Sequence, residues 1–181
     1  MRKAFKDFVE SHVDLFENQD MVTLYGMVPL KYDDYIISPG DITELCFKLK
    51  INPLEYLPDV PDNFAQRTNL AYCVIPDHIK EIGASAFAHS AIDWIKLSNN
   101  LECISRGAFM GCKNLKEILL PATIKRIEGN VFFGTPLTRI KYAGTCTEWQ
   151  DVHQGHWWIS PGKAADMLIE CSDGSVRANV E

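Results

Sequence analysis

What this sequence lacks narrows its chemistry before anything in it is read. The patterns GxxxxGK[ST], GxGxxG, HExxH and GxSxG are all absent, so no phosphate loop, dinucleotide turn, zinc-protease helix or nucleophile elbow is written here. CxxC is missing too, and with it the close thiolate pair of a zinc finger. No run approaches the roughly 18 apolar residues that a membrane helix needs. Positive charge is scarce: 18 Lys and Arg stand against 24 Asp and Glu, a net charge of −6. That sign disfavours a nucleic-acid partner. The deficit is uneven, because residues 1–70 hold seven basic and twelve acidic side chains, which is −5 of the −6. The first twenty residues start basic, but Asp7, Glu10 and Asp14 interrupt any apolar stretch. They do not read as a secretory signal, and a cytoplasmic protein is the expectation.

Six cysteines are present, an even number that would suit disulfides. In a reducing compartment they are expected instead as free thiols used for packing, since free Cys behaves as a small hydrophobe.

The chain is rich in an internal repeat. Residues 75–87 (IPDHIKEIGASAF), 97–109 (LSNNLECISRGAF) and 120–132 (LPATIKRIEGNVF) share five columns. They are Ile75, Leu97 and Leu120; Ile79, Leu101 and Ile124; Ile82, Ile104 and Ile127; Ala86, Ala108 and Val131; and Phe87, Phe109 and Phe132. The pattern continues through Ile92 and Ile95, Leu115 and Ile118, and Leu137 and Ile140, so the repeats run 75–96, 97–119 and 120–141. Upstream, Phe64, Leu70 and Cys73 keep the register of a half repeat whose first half has lost it. Periods of 22–23 residues rich in Leu and Ile predict a solenoid in which each turn adds a short strand to a stacked parallel sheet. With strands about 4.8 Å apart, some 3.5 repeats make a stub of roughly 15–20 Å that needs a cap at both ends.

The wording of the repeats resembles the BspA-type leucine-rich repeat, a bacterial and phage-associated class. Ile75-Pro76, Ile82-Gly83, Ala86-Phe87, Ala108-Phe109, Gly111-Cys112 and Leu120-Pro121 carry the likeness. YAGTCTEWQDV (142–152) and LIECSDGSV (168–176) look like the C-terminal cap of such arrays, so the resemblance covers 64–176. Ser98, His89-Ser90 and Gly134-Thr135 depart from the pattern at turns. The resemblance implies a binding module: an adhesin when secreted, an interaction protein otherwise.

The flanks are read from local signals. Phe5, Phe8, Val9, His12, Val13 and Phe16 mark one face of a helix over 1–18, with His12 a satisfied boundary residue. Residues 21–37 read as two extended segments around a turn at 29–34, with Asp33 and Asp34 an exposed turn pair. Ser38, Pro39 and Asp41 announce a helix start, and Asn52-Pro53-Leu54-Glu55 a second. Two helices there would allow a helix-turn-helix, but Asp41, Glu44, Glu55, Asp59 and Asp62 outweigh Lys48 and Lys50. Trp149, Trp157 and Trp158, with His153 and His156, read as an aromatic lid, and ISPGKAAD (159–166) as a loop.

The expected architecture is α+β: an acidic N-terminal α+β cap domain at 1–62, a short leucine-rich-repeat solenoid at 63–141 and a Trp-rich C-terminal cap at 142–181. No catalytic residues, cofactor or metal are expected. Cys146, His153, His156 and Cys171 offer a zinc spacing only in a loose C-x6-H-x2-H-x14-C form, the basis of an alternative zinc-dependent hydrolase reading. Side chains alternate across a strand, so the solenoid face has outward columns Tyr72, Trp94, Glu117, Arg139 and Val74, Lys96, Leu119, Lys141. Tyr72, Trp94, Lys96, Glu117, Leu119, Arg139 and Lys141 are the candidate partner-binding residues, Tyr, Trp and Arg being the types that most often carry interface energy. The leading expectation is a non-enzymatic module that binds a protein partner by this face, by the acidic N-terminal region, or by both. A narrower form is a phage-type inhibitor of a host defence protein, and the alternative is a cell-surface, adhesin-like fragment. Neither nucleic acid nor membrane is favoured as partner, and a homodimer through the aromatic pair is open.

Overall fold

The computed structural model describes residues 3–18, 20–32 and 35–178. Five helical segments and a hairpin surround one end of a stack of coils, and a short helical and strand cap closes the other. Helix α1 (Lys3–Ser11) and helix α2 (Val13–Glu17) are separated at His12, which leaves helical geometry at φ −129°. His12 Nδ1 lies 2.9 Å from the Phe8 carbonyl oxygen and its ring stacks on Phe8, so it is satisfied at the boundary. The break is why Phe5, Phe8 and Phe16 are buried while Val13 turns outward, although one stripe through all four is what the spacing predicts.

Residues 21–27 correct the strand expectation: they form helix α3 (Met21–Met27). Asp20 caps it by accepting the Thr23 N–H at 3.1 Å, and Met21, Leu24, Tyr25 and Val28 fall on one buried face at helical spacing. The hairpin that follows pairs β1 (Leu30–Tyr32) with β2 (Tyr35–Ile37), and the expected Asp33-Asp34 turn pair lies outside the described residues. Helix α4 (Pro39–Lys48) begins as expected with a capping box in which Ser38 and Asp41 satisfy each other's backbone N–H groups. At Asn52 the second start yields a single 3-10 turn, Pro53–Glu55, so no helix-turn-helix exists among the described residues.

The first coil is more complete than its sequence suggests. Val60 bridges Ile82 in parallel, and Leu57 and Val60 are buried like Ile79 and Ile82 of the next coil. Phe64 follows Val60 by four positions, whereas Phe87 follows Ile82 by five. That one-residue deletion hides the first half of the repeat.

Each later coil supplies two strands. Strands β3 (Tyr72–Val74), β5 (Trp94–Lys96), β7 (Glu117–Leu120), β9 (Arg139–Tyr142) and β11 (Leu168–Cys171) stand along one side. On another side, β4 (Glu81–Ile82), β6 (Cys103–Ile104), β8 (Arg126–Ile127) and β10 (His153–Gln154) form a parallel ladder in the order β10-β8-β6-β4. Tyr72 pairs with Trp94, Ile118 with Ile140 and Ile140 with Ile169. Between the strands Phe64, Phe87, Phe109, Phe132 and Trp158 follow one another in file, stacked in the middle and edge-on at both ends, with neighbouring ring centroids 5.3–6.2 Å apart. Trp158 therefore takes the place of the repeat Phe in a last, irregular coil. That coil contains helix α5 (Cys146–Gln150), capped by Thr145 and Glu148, and helix α6 (Pro161–Ala164), where a loop is expected from sequence. Strand β12 (Gly174–Arg177) folds antiparallel onto β11 and closes the sheet. One apolar cluster runs from Phe5 to Ala178 without interruption.

Candidate protein-interaction face

The side carrying β3, β5, β7, β9 and β11 alternates inward and outward residues as its strands require. Cys73, Ile95, Ile118, Ile140 and Ile169 face the core, and their neighbours face out. Tyr72 is 67% exposed and Trp94 54%, side by side in the β3–β5 register. Val74 (43%) and Leu119 (55%) add apolar surface in the adjoining column. Structure and sequence agree that these four side chains share one face with Lys96, Glu117, Arg139 and Lys141. Exposed Leu168 extends the same face into the last coil, one strand beyond Arg139. Sequence reasoning misses it because the cap breaks the 22-residue spacing, though LIEC repeats the alternation of RIKY.

The ladder on this side is interrupted. Strands β3 and β5 pair, and β7, β9, β11 and β12 pair, but β5 and β7 lie adjacent without a hydrogen-bonded register. At that seam a hollow of about 380 Å³ opens, lined by Trp94, Lys96, Leu119, Pro121, Ala122 and Ala143. A second hollow of about 290 Å³ lies where Phe47 and Lys48 of α4 meet Leu70 and Tyr72. The face thus offers two apolar recesses beside its exposed aromatic pair.

Its charges are not equally available. Arg139 is held by Glu170 through three N···O contacts of 2.8–3.0 Å, and that bidentate hydrogen bonding pulls the Glu170 carboxyl below its ordinary value. Lys96 and Lys141 form no ion pair among the described residues. Lys96 only adds to the lowering of Asp77, whose main cause is hydrogen bonding from Asn99. Arg139 is committed to the fold, whereas the two lysines flanking Leu119 are tied into no salt bridge.

On the β4–β6–β8–β10 side the outward charges satisfy one another. Glu102 sits between Lys125 at 2.6 Å and Lys80 at 3.4 Å, which hold its carboxyl low, the Lys125 hydrogen bond first. The Arg126 guanidinium lies 3.3 Å from the Cys103 sulfur, and Ser105 donates to Glu81. At the C-terminal cap, Trp149 and Trp158 are buried with ring centroids 5.9 Å apart. Trp157 is not part of that lid. It occupies the left-handed column otherwise taken by Asn63, Ser85, Gly107 and Asn130, stays exposed, and stacks on Phe133 and His156. Among the described residues no three His, Cys, Asp or Glu side chains gather to hold a metal, so Cys146, His153, His156 and Cys171 do not form the loose zinc set. Nor does any described helix have the length and apolar character to cross a membrane.

Residues 60–152 match the BspA type leucine rich repeat region in six copies. The chain belongs to this family. The match begins at Val60, the residue that opens the strand stack, and ends inside the cap. Among solved structures, the BspA-type chain is similar to a leucine-rich repeat protein from Bacteroides capillosus ATCC 29799, with 31% identity and a TM-score of 0.46 over 49% of this chain and 64% of that one. It is also similar to a leucine rich cell surface protein from Faecalibacterium prausnitzii A2-165, with 22% identity and a TM-score of 0.39 over 54% of this chain and 32% of that one. The chain spans less than two thirds of either. Comparison with curated proteins finds no match. BspA-type repeats generally mediate protein–protein interaction or surface adhesion.

Proposed function

We propose that this chain is a non-enzymatic protein-binding module, engaging a partner protein through the face that carries Tyr72, Trp94, Lys96, Glu117, Leu119 and Lys141. The observation behind this reading is the Tyr72/Trp94 pair. Two large aromatic side chains stand exposed in register on a solenoid whose core is otherwise closed. Aromatic anchors beside apolar recesses are what interface energy concentrates on. Arg139 supports the face from within, through Glu170. The acidic N-terminal region borders the face at Lys48 and Tyr72 and would contribute to partner choice.

The test is affinity capture from a lysate of the source organism or its host, with three baits. They are the wild type, Tyr72→Ala/Trp94→Ala, and Lys80→Ala/Lys125→Ala on the β4–β6–β8–β10 side. A partner held by the wild type and the lysine variant, and lost from a still-folded aromatic variant, supports the face. Retention by all three moves the site elsewhere, and no partner at all removes the binding-module reading. Cytoplasmic residence belongs to this proposal, and recovery of the native protein outside the cell would favour the adhesin-like alternative instead. The narrower inhibitor reading rests on net acidity and repeat class, and it fails if no nuclease or defence complex is captured. A homodimer through the same face would show as a concentration-dependent mass lost in the aromatic variant.

A further inference from the structure

Four of the six thiols are inside the core: Cys46, Cys73, Cys103 and Cys112. Cys46 lies against the Met21 sulfur at 3.7 Å, Cys112 donates to the Phe87 carbonyl at 3.0 Å, and burial pushes Cys46 and Cys73 up to about 12. The remaining two, Cys146 and Cys171, are both partly exposed, and both lie at one joint of the C-terminal cap. Cys146 opens helix α5, and Cys171 ends strand β11. Cys171 faces Gly174 across the β11–β12 ladder, and the Cys146 sulfur lies 3.4 Å from where a Cβ on Gly174 would stand. Two hydrogen bonds clamp the same joint: Cys146 N–H donates to Asp173 Oδ1 at 2.7 Å, and Ser172 N–H to the Gly144 carbonyl at 2.9 Å. Both side chains border Gly174, Cys171 across the ladder and Cys146 from the start of the helix. Helix start and hairpin turn are therefore hydrogen-bonded together with both thiols beside the same glycine.

We propose that Cys146 and Cys171 are a modification site: a thiol pair that exchanges with a low-molecular-weight disulfide and closes into a disulfide latching the β11–β12 hairpin to α5. In the first step one protein thiolate attacks the small disulfide, forming a mixed disulfide and releasing one small thiolate, which takes up a proton. In the second, the other protein sulfur loses its proton to solvent, displaces the remaining small thiol and forms the intramolecular S–S bond. The two protein sulfurs are oxidised and the small disulfide is reduced to two thiols. Both thiols are partly exposed, so either can make the first attack and the other then closes the link. Reduced packing thiols elsewhere and a closable pair here are compatible, because core burial excludes reagent from the other four.

The experiment treats the reduced full chain with oxidised glutathione and reads intact mass and a non-reducing peptide map. The expected product has lost the mass of two hydrogen atoms, carries one link joining the peptides of Cys146 and Cys171, and returns to starting mass with a reductant. Amide exchange in 168–177 should slow by about tenfold or more, as for a locally opening element that is tied down. Cys146→Ser and Cys171→Ser should each stop at a single glutathione mixed disulfide on the cap thiol that remains. Six free thiols after treatment would overturn the proposal, as would a link involving a core cysteine or two separate glutathione adducts. The wild-type peptide map alone decides between these outcomes, even if a variant folds poorly.

Discussion

At the scale of single residues, the coils constrain some positions by contact and others by backbone conformation. Gly83 is fixed by contact: a Cβ there would stand 2.6 Å from the Asp62 N and 2.7 Å from the Pro61 carbonyl carbon of the coil below. Backbone cannot swing aside as a side-chain tip can, so Gly83→Ala should cost about 2 kcal/mol, visible as a lower urea midpoint with unchanged slope. The two adjacent tryptophans should behave oppositely. Trp158 ends the aromatic file, fully buried against Phe132, and Trp158→Ala should cost about 3–5 kcal/mol. Trp157 is 46% exposed at φ 52°, where a bulky side chain loses about 1–2 kcal/mol to strain. Its stacking on Phe133 and His156 returns about 0.5–1.5 kcal/mol. Since Asn tolerates that conformation, Trp157→Asn should leave the thermal midpoint within about 3 °C of wild type. A large drop would mean that the exposed stack matters more than the strain.

Elements are legible where one local signal decides them. The Ser38-Asp41 capping box reads directly from sequence because it is a contact among four consecutive residues, and Ser38→Ala should cost about 1 kcal/mol by thermal melt. The three-fold pattern over 75–141 locates the strands β4 to β9 for a related reason: every coil repeats the same inward set. Helix α3 misleads because Tyr, Val, Thr and Leu at 21–28 suit a strand on sight, while the Asp20 cap and the buried Met21, Leu24, Tyr25 and Val28 spacing favour helix once the segment packs. The opening coil escapes through the deletion between Val60 and Phe64. On the candidate face, alternation exposes Tyr72, Trp94 and Leu119 as expected. What sequence could not carry is the pairing of Arg139 with Glu170, 31 residues away across an irregular coil, or the seam between β5 and β7. Partners across an insertion of unknown length have no spacing to announce them.

The whole molecule is one stack, and its polar links run from coil to coil. Asp77 ties the second coil to Asn99 of the third, Glu102 takes lysines from the coils on both sides, Glu170 holds Arg139, and Asp173 receives Cys146 N–H. All four carboxyl groups are held below their ordinary values by these bonds, and Glu148 is too, chiefly through the Thr145 backbone N–H. A carboxyl depressed in the folded state binds protons more tightly once unfolded, so its contribution is complete above the unfolded values of 3.8 for Asp and 4.5 for Glu and declines below them. Thermal midpoints should therefore be level from neutrality down to about pH 5 on this account, then fall as pH drops through 4.5 and further below 3.8. Because the apolar cluster is continuous from Phe5 to Ala178, that loss should be shared by both ends. Tryptophan fluorescence reports mainly the cap, with Trp149 and Trp158 buried there, and amide exchange in α4 reports the N-terminal region. The two readouts should move together as the buffer is acidified. If the cap melts at a higher pH than α4, the stack is two cooperative units, and the ties at Glu170 and Asp173 hold only the last coil.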